Sequence, residues 1–295
     1  MSRILISGLV NTETTVKVRQ FPIPYYPIDY PFFGINTAVS GVACNIAKAL
    51  TTLGDEVTLA SMTGSDFASE YIKNDLATAG ICVDGIRSCL AATPSSVVLY
   101  DEEGKRQIYC DLKDIQEAVY GFEPSICVDK DIVVACNINF NRPLLQAAKE
   151  AGKIIATDVH VLNNVWDDYN REFMEYADIL FLSDEGIGDW YQDFIWQLVH
   201  TYDPVIIVLG RGGKGAAMYL REENRIIEQP AVRVGEIVNT VGAGDALFSA
   251  FVHYYAKGLH PAAALQRAQI FASVKIGVSG ASKGFVTEAE IERMI

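Results

Sequence analysis

Short apolar runs alternate with amphipathic stretches along most of this chain. Arg3 to Gly8 reads as a strand closed by glycine. From Gly41 to Gly54 the residues Ala43, Ile46, Ala47, Leu50 and Leu53 recur at helical spacing, which predicts a helix with one buried stripe that stops at Gly54. Val57 to Met62 reads as a strand, and Asp66 to Ala79 as a second helix. Past residue 126 the pattern becomes regular: the apolar segments Asp131–Ala135, Lys153–Thr157, Ile179–Leu182 and Val205–Leu209 alternate with helical stretches such as Leu144–Ala151. Strands that are apolar on both faces and separated by helices predict a parallel sheet covered on both sides. Ligands of such folds sit beyond the carboxyl ends of the strands.

Two segments depart from this rhythm. Val16 to Arg19 alternates as a half-exposed strand, and Phe21 to Phe33 is dense in proline and aromatics. Prolines at that density forbid a helix and suit extended edge backbone. The aromatics there either meet a partner chain or ligand, or pack back on the main core. Val97–Tyr100 and Gln107–Cys110 flank Asp101 to Lys105 as a hairpin, with Gly104 expected to supply positive φ at the turn. The hairpin and the proline-aromatic stretch are expected to share a small satellite sheet.

Composition narrows the function classes. With 295 residues, half of them hydrophobic, the chain suffices for one large domain with a satellite. A net charge of -13 argues against a nucleic-acid partner, since 24 basic residues stand against 37 acidic ones. No apolar run reaches the roughly 18–20 residues of a membrane span. The apolar start is too short for a signal peptide, so residence in the cytoplasm is expected. The six cysteines form no Cys-x-x-Cys pair and read as reduced, mostly buried thiols. The four histidines show no metal-ligand spacing on a shared helix face.

The run that carries chemistry is Asn239-Thr-Val-Gly-Ala-Gly-Asp245, followed by the good helix formers 246–257 with Gly258 as terminator. Gly242, Ala243 and Gly244 form a glycine-rich turn opening a helix, where backbone N–H groups and the helix dipole favour an anion. A carboxylate among those amides repels an anion unless its task is to take a proton from a hydroxyl attacking a phosphoryl group held there. The ordinary alternative is that Asp245 is a helix N-cap. A second cluster, Gly210-Arg-Gly-Gly-Lys-Gly215, follows the strand Val205–Leu209. Ala216–Leu220 and Arg225–Ile227 after it read as another strand pair rather than a helix, so the dinucleotide fingerprint fails in context and a plain tight turn remains.

Asn239 to Asp245, together with Ser40-Gly-Val-Ala-Cys-Asn-Ile-Ala-Lys-Ala-Leu-Thr-Thr-Leu-Gly54 and Thr63-Gly-Ser-Asp66, closely resembles the paired patterns of the ribokinase-like (phosphofructokinase-B type) family of carbohydrate and nucleoside kinases. The resemblance spans essentially the whole chain. It implies an α/β fold, a Rossmann-like three-layer sandwich with a mostly parallel central sheet and a small β-sheet lid. The lid falls at about 12–38 and 95–112 within a single domain, 1–295. It further implies ATP and Mg²⁺, Asp245 as catalytic base, and Gly242, Ala243 and Gly244 as an anion hole. Gly210, Gly212, Gly213 and Gly215 would lie against the nucleotide, with Gln269 bordering the adenine. Asn11, Glu13, Gly41 and Asn45 would contact the acceptor. Arg106, at the hairpin, is a further candidate substrate contact, its ordinary reading being a solvated edge charge. His160, after Asp158 at a strand end, is weighed in the same way.

Departures from the pattern matter. Glu13 stands where aspartate is usual, and Ser40 replaces a glycine. Asn239 replaces an aspartate that the resemblance links to a monovalent cation, which counts against potassium activation. In Phe181-Leu-Ser-Asp-Glu-Gly186, Ser183 and Gly186 take the places of the family's Asn and Glu near magnesium, leaving Asp184 or Glu185 to substitute through water. The expected activity is phosphorylation of a hydroxyl on a small carbohydrate or polyol. A nucleoside kinase, or a catalytically silent sugar- or nucleotide-binding protein, are the alternatives. The exposed aromatics suggest a homodimer through the lid.

Overall fold

The computed structural model describes residues 1–103 and 105–295. The first third of the chain holds β1 (Arg3–Ser7), β2 (Asn11–Lys17), β3 (Ile35–Ser40), α1 (Val42–Leu53), β4 (Glu56–Thr63), α2 (Phe67–Thr78), β5 (Ile86–Ser88), β6 (Ser95–Tyr100) and β7 (Arg106–Asp111). Next come β8 (Ile132–Ala135), α3 (Arg142–Glu150), β9 (Ile154–Val161), α4 (Arg171–Tyr176), β10 (Ile179–Ser183) and α5 (Tyr191–Tyr202). The chain ends with β11 (Ile206–Gly210), β12 (Ala216–Leu220), β13 (Arg225–Gln229), α6 (Ala243–Ala256), α7 (Pro261–Lys275) and α8 (Glu288–Glu292).

Nine strands form the central sheet in the order β13-β12-β11-β10-β9-β8-β1-β4-β5. It is parallel from β5 to β11, and β12 and β13 add an antiparallel edge. Alternation along each strand sends residues to opposite layers. Ile4, Ile6 and Val134 face the layer of α1, α6 and α7, while Leu5, Val133 and Ala135 face that of α3, α4 and α5. Both faces are therefore apolar, as a parallel sheet buried on both sides requires. Phe181 of β10 meets Phe248 and Phe251 edge-on at 5.0 and 5.3 Å between centroids, which seats α6 against the sheet.

A second sheet of four strands has the order β3-β2-β6-β7, with β2 antiparallel to β3 and parallel to β6. The alternating strand begins at Asn11 rather than Val16, because its threonines suit a strand paired on both sides. β3 was not anticipated. Conversely, the proline-aromatic stretch does not join the sheet. Pro22, Pro24, Pro27 and Pro31 have no N–H for a ladder, and the segment is instead an exposed loop between β2 and β3. The aromatics do not pack back on the core: Tyr25, Phe32 and Phe33 are 89, 84 and 100% exposed. The hairpin β6–β7 is present, and its expected turn residue Gly104 lies outside the described residues.

Cys44, Cys127 and Cys136 are buried but Cys82, Cys89 and Cys110 are exposed, so only half of the thiols are in the core. The exposed three lie beside the short edge strand β5 or on the edge strand β7, where one face has no covering layer. Among the described residues no helix is long and apolar enough to cross a membrane.

α2 starts where Asp66 accepts the N–H of Ser69 at 3.0 Å, and the same carboxylate accepts the N–H and hydroxyl of Thr93 at 2.8 and 2.6 Å. Asp66→Ala is expected to lower stability by about 1–2 kcal/mol, the worth of an N-cap. A denaturant titration should show an earlier midpoint with an unchanged slope.

Candidate active site

The chain's two distant motifs meet at one hydrogen bond. Asn45 Nδ2, on α1, donates to Asp245 Oδ2 at 2.6 Å across 200 residues of sequence. Asp245 is not the N-cap of α6. That position belongs to Gly242, whose φ of 78° is left-handed and where a Cβ would lie 2.6 Å from the Ala281 carbonyl oxygen. Asp245 stands in the first turn instead, its carboxylate directed to Asn45 rather than to its own helix. Gly41 opens α1 under similar pressure, since at φ 99° a Cβ would come within 2.5 Å of the Leu9 carbonyl oxygen.

Of the three amides expected to form an anion hole, that of Ala243 donates to the Thr240 carbonyl at 3.2 Å. Among the described residues the N–H groups of Gly242, Gly244 and Asp245 have no hydrogen-bond partner. A Cβ at Gly244 would meet nothing within 4 Å, so that side of the turn is open. Among the described residues the unpaired amides at this helix start are therefore those of 242, 244 and 245 rather than those of 242–244.

On the small sheet, Asn11 is buried with Nδ2 on Ser96 Oγ at 3.1 Å, and Glu13 accepts the Ser40 hydroxyl at 3.4 Å. The amide oxygens of Asn11 and Asn45 are buried and have no hydrogen-bond partner. Buried acceptors are normally satisfied, so these two fit a bound molecule that donates, such as one bearing hydroxyls. Arg106 is not brought to this group. It lies opposite Tyr100 and Lys17, four rungs along the sheet from the Glu13–Ser96–Cys110 rung, about 13 Å at strand rise.

Five ionisable groups share the region. Burial pushes Asp245 above the usual aspartate range, opposed first by His160 and then by the Asn45 hydrogen bond. Burial likewise raises Glu13, with the Ser40 bond opposing. His160 has a left-handed backbone, φ 59°, and donates its N–H to Asp158 Oδ1 at 2.8 Å. The Asp158 carboxylate holds the imidazole up at about 9, so it is a cation at neutral pH. Burial pushes Asp158 up, but the imidazole and backbone N–H of His160 more than offset it. Lys275 is fully buried at the end of α7 and is pushed down to about 8 by that burial, against Asp245 and Glu13. Asp158 and Lys275 were missed from sequence. Lys275 is legible only as a lone charge between Val274 and Ile276, in a last helical turn where a lysine is ordinarily solvated.

The second glycine cluster is a hairpin between β11 and β12, closed by Arg211 N–H on the Gly215 carbonyl at 2.8 Å. Gly212 and Gly213 would carry a Cβ into open space, whereas at Gly215 it would lie 2.0 Å from the Gln229 carbonyl oxygen. Gln269 Nε2 donates to that same oxygen at 3.3 Å, so Gln269 and this loop are neighbours, and its Oε1 is buried without a partner. Asp184 Oδ2 lies 3.9 Å from Arg211 Nε, and Glu185 is exposed. Among the described residues no group of three or more His, Cys, Asp or Glu is arranged to hold a metal. A magnesium ion held mostly by phosphates and water needs only one or two carboxylates. Asp184 already faces a guanidinium, whereas Glu185 is exposed.

A profile of the pfkB carbohydrate kinase family matches residues 3–288, and the chain belongs to that family of kinases. It is 25% identical to the ATP-dependent ribose-1-phosphate kinase of Halopiger xanaduensis over 98% of this chain and 97% of that protein. It is also 25% identical to a fructosamine kinase of Bacillus subtilis, over 90 and 92%. Among solved structures, ribokinase of Arabidopsis thaliana with ribose and ATP superposes at a TM-score of 0.83, with 21% identity over 99% of this chain and 98% of that one. The nucleoside kinase of Methanocaldococcus jannaschii gives 0.83 with 19% identity over 99 and 97%. The ribokinase-like fold is thereby shown.

If Asp245 must be ionised to work, activity falls as pH drops through its raised pKa, so the acid limb of kcat/KM should lie above that of an ordinary aspartate, about 3.9. His160→Ala removes the cation that opposes this rise and should move the acid limb to higher pH. An unmoved limb in a pH–rate profile would exclude the electrostatic link.

Proposed function

We propose that the chain transfers the γ-phosphoryl group of ATP to a hydroxyl of a small neutral carbohydrate or polyol. The observation that carries this is the carboxylate of Asp245, fixed by Asn45 beside helix N-terminal amides that have no partner of their own. Asp245 takes the hydroxyl proton as that oxygen attacks the γ-phosphorus. The bond from phosphorus to the bridging oxygen breaks, and ADP leaves. The amides of Gly242, Gly244 and Asp245 hold the charge on the transferring group, aided by the dipole of α6.

Asn11, Glu13, Gly41 and Asn45 surround the acceptor. Glu13, Asp158 and Asp245 outnumber the cations His160 and Lys275, so the surroundings favour an uncharged acceptor over a phosphorylated one. The loop of Gly210, Gly212, Gly213 and Gly215 lies along the nucleotide, with Gln269 at the base. Asp184 or Glu185 would hold a magnesium ion through water, and that ion would supply charge neutralisation for the nucleotide phosphates. The four-stranded sheet acts as a lid that excludes water from the transfer. Its exposed aromatic loop fits a homodimer joined lid to lid.

Asp245→Asn should lower kcat by about 10²–10⁴ while leaving the fold intact. The check is ADP release over a panel of monosaccharides, polyols and nucleosides with ATP and Mg²⁺. Near-normal turnover in the variant would remove Asp245 from the chemistry. A native chain that is stabilised by sugar yet releases no ADP would make it a silent binder.

A further inference from the structure

Lys275 is a buried cation that phosphoryl transfer, as described above, does not use. Its side chain has no exposed surface, and its one hydrogen bond is from Nζ to the carbonyl oxygen of Val241, the residue before Gly242. The neighbouring loop is fastened to the same helix end. The N–H groups of Val238 and Asn239 donate to the Ile276 carbonyl at 2.9 and 3.0 Å, and Asn239 Oδ1 accepts the Val241 N–H at 2.8 Å. Asn239 thus uses its side-chain oxygen within the loop, and Lys275 brings a positive charge to the loop's Val241 carbonyl.

The consequence follows from the peptide bond. In a planar trans peptide the C=O of one residue and the N–H of the next point in opposite directions. An ammonium that draws the Val241 carbonyl toward α7 therefore turns the Gly242 N–H away from α7, and that N–H has no partner among the described residues. The carboxylates of Asp245 and Glu13 act on the same ammonium from α6 and β2, and with burial they leave it at about 8, mostly charged at neutral pH.

We propose that Lys275 is a positioning residue for phosphoryl transfer, an internal monovalent cation that sets the Val241–Gly242 peptide and balances Asp245 and Glu13. The proposal rests on the kinase reading for its effect on turnover, but its structural part does not. Two substitutions separate the cases. Lys275→Met keeps the volume and removes the charge. Lys275→Ala also leaves room beside the Val241 carbonyl for a small cation from solution.

The experiment measures melting temperature and ADP release for the native chain and both variants in choline chloride, potassium chloride and ammonium chloride. Lys275→Met should lose about 10²-fold in kcat, the order of one lost anion-hole donor, with the KM for ATP changing far less. Lys275→Ala should melt at least about 2 °C higher in potassium or ammonium than in choline, and regain turnover there, while the native chain is indifferent. Native-like turnover of Lys275→Met, or equal melting of Lys275→Ala in all three salts, would overturn the proposal. Absence of ADP release from the native chain would defeat the kinase reading, and the melting comparison would still decide the cation.

Discussion

The contact between Asn45 and Asp245 is the constraint on which the site depends. It joins the start of α1 to the start of α6, and it holds only if both helices lie against the same face of the sheet. A hydrogen bond to a charged group contributes roughly 1.5–3 kcal/mol. Here it also fixes the direction of a carboxylate that would otherwise be free to fold back onto its own helix. Left-handed glycines sit at both helix starts, Gly41 and Gly242, where a side chain would strike neighbouring backbone. Each helix start is thus packed against the backbone of another segment, Leu9 for Gly41 and Ala281 for Gly242, too closely for a side chain.

Around that contact the charges form a chain of opposed pairs. Asp158 holds His160 protonated, and His160 resists the protonation of Asp245 that burial favours. Lys275, hydrogen-bonded to the Val241 carbonyl, is favoured in its charged form by Asp245 and Glu13 against its own burial. Ionised groups removed from water are costly unless partnered. This set meets the cost collectively: His160 and Lys275 both favour the ionised form of Asp245, while its hydrogen-bond partner is the uncharged Asn45.

Much of this was legible in the sequence, and the reasons for the rest are physical. Parallel strands and covering helices announce themselves through periodicity, and the residues from 41 to 54 and from 239 to 258 behaved as their spacing implied. The small sheet was harder. Thr12, Thr14 and Thr15 look polar enough for a loop, yet their β-branched side chains and pairing on two sides make a strand. The prolines of 21–33 promised an extended edge but left too few N–H groups to build one. In the candidate site, several expected residues come together, but in local positions that the sequence did not display. Asp245 proved to be a first-turn residue facing another helix, and Ala243 gave its amide to Thr240. Arg106 stayed at the far end of its strand, because strand register, which sequence does not display, decides which residues share a rung. Lys275 was invisible, since only packing distinguishes an inward lysine at a helix end from a solvated one.

In the proposed mechanism Asp245 stands between the acceptor hydroxyl and a phosphoryl group seated on the α6 amides. A structure of the chain with a non-hydrolysable ATP analogue and its acceptor tests this arrangement. An acceptor oxygen within about 2.6–3.2 Å of the Asp245 carboxylate is expected, with the terminal phosphate on the N–H groups of Gly242 and Gly244. An acceptor bound with its hydroxyls remote from Asp245, or phosphates that avoid that helix start, would contradict it.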